Sequence, residues 1–146
     1  MSDFKKLHVW QKAVALALNV DRVCKKIRGA QYASLRSQLF RAATSIPANI
    51  AEGRRQDSDK EFARFLRYAL NSSSELESHL ILARGCNAIS DGDFRSLVTQ
   101  TIRVRKMLYA LLKCLAVDGP PSPAPVRAHK TARPKPPADT PSAPGR

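Results

Sequence analysis

Leu39, Ala43, Ile46 and Ile50 recur at spacings of four, three and four, and the row runs straight across a proline, Pro47. That spacing belongs to one face of an α-helix. A loop or strand would lose it at the proline, so the helix is expected to continue and kink there. The missing amide donor frees the carbonyl of Ala43, which Thr44, Ser45 or water would have to satisfy.

Three more segments show the same period. Val9, Ala13, Leu16, Val20, Val23 and Ile27 form the first row. Phe62, Leu66, Ala69, Ser73, Leu76 and Leu80 form the third; Phe94, Leu97, Thr101, Val104, Leu108, Leu111 and Leu115 form the fourth. No stretch shows sustained strand alternation. Gly29, Gly53 and Gly85 each follow a row, where a residue past a helix end often takes positive φ. Ser58 with Glu61, and Ser90 with Asp93, have the spacing of N-terminal caps. Short connections make neighbours antiparallel, which predicts an all-α chain, an up-down-up-down four-helix bundle.

Composition divides the chain after Asp118. Residues 119–146 hold nine of the ten prolines and almost nothing large and apolar. Residues 1–118 are therefore read as the bundle, and 119–146 as a disordered, Pro-rich basic tail. Of the formal charge of +13, the tail supplies +4 and the bundle +9. The excess favours anionic partners, RNA or DNA first. Cys24, Cys86 and Cys114 are odd in number and lack CxxC spacing, which points to reduced thiols, no metal site and a cytoplasmic protein. No secretory leader opens the sequence, and the longest apolar run, Ala13 to Leu18, is too short to span a bilayer.

The bases concentrate on outer faces. Arg54 and Arg55 fall in the turn before the third helix; Lys60, Arg64 and Arg67 lie opposite its apolar row. Arg95, Lys106 and Lys113, with Arg103 beside them, occupy the outer face of the fourth. These nine are the candidate nucleic-acid contacts, through phosphate and with little sequence preference. The Arg54–Arg67 group is the leading one. Trp10 and Phe62 read as packing residues, and Tyr32 as the exposed aromatic.

A polar line, Gln38, Ser45, Asn49 and Glu52, edges the second helix, and Ser72, Glu75 and His79 edge the third. A hairpin turning near Gln56 opposes residues whose numbers sum to about 113, which sets Gln38 against Glu75. These seven form a structural polar seam. Ser45, Glu75 and His79 could be drawn as a nucleophile, carboxylate and base, but no nucleophile elbow or oxyanion loop accompanies them. No catalytic residue and no cofactor are expected.

The strings "LHVWQKAVALA", "SQLFRAATSIPANIAEG", "EFARFLRYALNSSSELESHLILA" and "MLYALLKCL" resemble the S23 family of small bacterial four-helix-bundle proteins over about residues 4–115. Its founding members are encoded in intervening sequences within 23S ribosomal RNA genes. The resemblance implies an antiparallel bundle, assembly as a ring-shaped homopentamer, and no established enzymatic activity. It also implies kinship with the accessory variability determinants of diversity-generating retroelements, basic pentamers that bind nucleic acid and a reverse transcriptase. Two features depart from the family: the acidic E-x-Y-G-L type turn is replaced by Gln31-Tyr32-Ala33-Ser34-Leu35, and the basic tail is an addition.

Overall fold

The computed structural model describes residues 3–115; the segment 119–146, read from sequence as a disordered tail, lies outside them. A short 3-10 turn, Phe4–Lys6, leads into α1 (His8–Cys24). A second, Ala30–Tyr32, precedes α2 (Ala33–Arg54), and α3 (Asp59–Gly85) and α4 (Asp91–Cys114) follow. Each helix packs on the next and α1 closes on α4, with the largest interface between α2 and α3. The antiparallel four-helix bundle expected from the apolar periods is the fold.

The rows become the core. Every residue of the first and third is buried, including Ser73. Leu39, Ala43, Ile46 and Ile50 of α2 are all at or below 1% exposure, so the stripe does run past Pro47 inside one continuous helix. A mid-helix proline costs about 3 kcal/mol. Burying each flanking isoleucine contributes about 1.5–3 kcal/mol, enough to hold the helix together. Thr44 and Ser45, expected from sequence along with water as partners of the Ala43 carbonyl, send their hydroxyls elsewhere. Thr44 Oγ1 donates to Phe40 O (2.9 Å) and Ser45 Oγ to Ala42 O (3.0 Å). Both are short side chains, and these carbonyls lie one turn back, within their reach.

Caps and turns follow local chemistry. Ser58 Oγ accepts the Glu61 amide at 3.2 Å and Ser90 Oγ the Asp93 amide at 3.1 Å. Asp59, Glu61, Asp91 and Asp93 then sit in first turns, where the helix dipole favours negative charge. Two of the three glycine expectations fail. Gly29 has φ +104°, as a turn residue should, but Gly53 lies inside α2 and is buried. A Cβ there would fall 2.7 Å from Phe65 Cβ, so this glycine permits close approach of α2 and α3. Gly85 is still helical, and the left-handed residue is Asn87 (φ 58°). Its amide bonds Arg84 O while the Ala88 amide bonds Ala83 O, which closes the helix end.

Close packing at Gly53 also changes the register. Ser45 meets Ser72, whose numbers sum to 117. The sum of about 113 was wrong because residues 55–58 carry the chain onward before it reverses. The first turn of α3 therefore projects about 6 Å past the end of α2.

On the far side, Arg105 of α4 ties the bundle to α3. Its guanidinium bonds Ser73 Oγ and O and pairs with Glu77. Asn19 Nδ2 donates to Gln100 Oε1 (2.7 Å) between α1 and α4. Each of these contacts fixes an antiparallel pair in register.

Candidate nucleic-acid interface

The structure separates the nine candidate cations into two groups. On α4, Arg95, Arg103, Lys106 and Lys113 are exposed and share the side opposite Leu97, Thr101, Val104 and Leu108, which are buried. The stripe runs about 27 Å along the helix. The acids of α4 are confined to its first turn, Asp91 and Asp93. No salt bridge engages any of the four among the described residues. Thr99, Ile102, Arg103 and Lys106 line a shallow depression in the same face.

The Arg54–Arg67 group is different. Arg54 is half-buried, its guanidinium 5.6 Å from the centre of the Phe62 ring and its Nε buried without a hydrogen-bond partner. Arg64 pairs with Glu61 at 2.8 Å and lies over both Phe65 and Tyr68. Arg55 and Lys60 are exposed and Arg67 is half-exposed. Between positions 52 and 67 five bases face four acids, Glu52, Asp57, Asp59 and Glu61. A cation stacked on a ring and bonded to a carboxylate has part of its charge already neutralised.

Of the expected polar seam, one contact crosses between α2 and α3: the Ser45 and Ser72 hydroxyls lie 2.5 Å apart, within hydrogen-bond distance. The rest turn inward on their own helices. Gln38 Nε2 donates to Ser34 Oγ rather than meeting Glu75, and Asn49 Nδ2 donates to Ser45 O. Glu52 accepts from Gln56, and His79 Nε2 lies 3.7 Å from Glu75. The shift of register accounts for this, because it moves Glu75 level with Ala42, which has nothing to offer it. His79 Nδ1 is buried and unpartnered.

Aromatic side chains are also redistributed. Trp10 and Phe62 pack, as expected, but Tyr32 is half-buried, its hydroxyl on Cys86 O at 3.2 Å. The exposed aromatics are Phe40 and Tyr109. Tyr109 falls on the basic stripe of α4. Its place three residues after Lys106 and four before Lys113 is readable from the helical period, but an uncharged ring gives no signal when charge alone marks the face. A second groove, between α1 and α2, is lined by Cys24, Lys25, Ile27, Arg36, Ser37 and Phe40. Burial pushes the Cys24 thiol up to about 11, Asp21 adding to the rise and Arg36 opposing it. Among the described residues no helix is long and apolar enough to cross a membrane.

Fold and surface together define a small antiparallel four-helix bundle with one basic helix face. The chain belongs to the family described as 23S rRNA-intervening sequence protein, whose model matches residues 5–110. Among solved structures it is similar to a protein of unknown function from the S23 ribosomal protein family of Bacteroides thetaiotaomicron. The two are 26% identical with a TM-score of 0.68, over 72% of this chain and 98% of that one. No curated protein resembles the chain closely enough to count as a relative.

Proposed function

We propose that this protein binds nucleic acid, RNA above all, without catalysis, through phosphate contacts centred on α4. The observation that carries the reading is the α4 face: four exposed cations without an acidic partner among the described residues. Arg55, Lys60 and Arg67 extend the basic surface, with Arg54 and Arg64 contributing less. The protein acts in the cytoplasm as a homo-oligomer, the ring of five that the family resemblance implies. Repeating one face raises avidity without stronger single contacts. The apolar side chains such an assembly would cover are Leu18, Phe40, Ile81 and Leu82, exposed on α1, α2 and α3.

The same apolar residues favour a second reading, an accessory scaffold for a protein such as a retroelement reverse transcriptase. A reverse transcriptase gene beside paired template and variable repeats would support it.

The deciding experiment is an anisotropy titration of a labelled RNA of about 30 nucleotides at several salt concentrations, with molar mass followed by light scattering. Each phosphate contact to a single strand contributes about −0.7 to the slope of log K against log salt, so four α4 cations predict a slope near −3. Absence of binding at low salt would refute the reading.

A further inference from the structure

Tyr109 leaves 58% of its surface in water. Tyrosine is a large, partly apolar side chain that normally packs its ring. Among the described residues Phe4 packs on Trp10, Phe65 on Tyr68, guanidinium groups cover Phe62 and Phe94, and the Tyr32 hydroxyl bonds Cys86 O; Phe40, the other exposed ring, lines the groove between α1 and α2, away from the α4 cations. The Tyr109 ring takes part in no such pair.

Its surroundings are charged in one sense. Lys106 precedes it by three residues and Lys113 follows by four, so both share its side of the helix. Arg103 lies one further turn back, beside the depression that Ile102 helps to line. The clamp of Arg105 on Ser73 and Glu77 sets the α3–α4 register and brings Arg67 level with Lys113. Tyr109 is thus an exposed ring beside Lys106 and Lys113 on a helix with no carboxylate after its first turn.

Phosphates alone would be read by the cations alone. A bare aromatic ring adds a surface on which a base can stack, and every base has a π-face. A duplex keeps its bases stacked within and presents mainly phosphates to a convex helix. We infer that Tyr109 is a base-stacking platform and that the α4 face therefore takes single-stranded nucleic acid in preference to duplex. Lys106, Lys113 and Arg103 hold the backbone while the ring holds a base. This rests on the phosphate-binding reading above and narrows it to one class of ligand.

The test uses the full chain and three oligonucleotides of equal length: a single strand, its duplex, and an abasic single strand that keeps the phosphates but lacks bases. The intact strand is expected to bind about tenfold more tightly than the abasic one. Tyr109→Ala should erase that difference and leave affinity for the abasic strand unchanged, whereas Tyr109→Phe should preserve it. Equal affinity of the natural protein for intact and abasic strands overturns stacking while leaving phosphate binding in place. So does a Tyr109→Ala loss that is the same for both. A fall in molar mass of Tyr109→Ala would assign the ring to a contact between copies and overturn it as well. Failure to bind any of the three at low salt removes the phosphate reading and this one together.

Discussion

The turn between α2 and α3 and the outer face of α4 carry similar numbers of basic residues and use them differently. Between positions 52 and 67 five bases share the space with four acids, and Arg54 and Arg64 lie on aromatic rings. From Phe94 to Leu115 there are five bases and no acid, and only Arg105 turns inward, onto Glu77. Two of the first set, Arg54 and Arg64, are engaged within the hairpin and the rest stand among acids; four of the second are left to solvent. Charge counted along a sequence therefore overstates what a surface offers, because a guanidinium that stacks and pairs is part of the fold.

The sharpest way to break that comparison is to neutralise each region separately. Arg95, Arg103, Lys106 and Lys113 changed together to Gln should weaken RNA binding about 100-fold at low salt and flatten the salt dependence by nearly 3. The matching change of Arg55, Lys60, Arg64 and Arg67 should cost clearly less. Equal losses, or a greater loss from the turn, would reverse the assignment.

Stability should rank the regions the other way. Gly53→Ala drives a methyl group to 2.7 Å from Phe65 Cβ and is expected to cost about 1–3 kcal/mol, measured by urea denaturation. Gly85→Ala, with nothing within 4 Å of the new carbon, should be neutral or stabilise by up to about 1 kcal/mol. If Gly53→Ala is harmless, the close approach of α2 and α3 is not what fixes their register.

The smallest expected effect is on Arg64. Its exposed pair with Glu61 and its place over Phe65 and Tyr68 should together make Arg64→Ala cost about 0.5–1 kcal/mol. Lys106→Ala, on the α4 face, should leave stability unchanged in the same denaturation series, within about 0.5 kcal/mol.

Much of the bundle was legible in advance. The four apolar rows, the Ser58 and Ser90 caps and the continuation of α2 past Pro47 are local properties, set by spacing along one helix. The candidate site was legible only in outline. All nine cations could be placed in the turn or on outer faces, but the half-burial of Arg54 over Phe62 could not, since it depends on how α3 returns against the end of α2. The polar seam was less legible still: its residues were identified, and only Ser45 and Ser72 meet across the two helices.

The sequence by itself determined that this chain is four amphipathic helices with a basic exterior, because helical period and residue type are carried by the chain alone. Tertiary structure decided the register of α2 on α3, the true roles of Gly53 and Asn87, which cations are engaged, and that Tyr109 stands bare among the rest. Those depend on how neighbouring helices approach, and a displacement of about 6 Å between two of them is enough to change every partner along the seam.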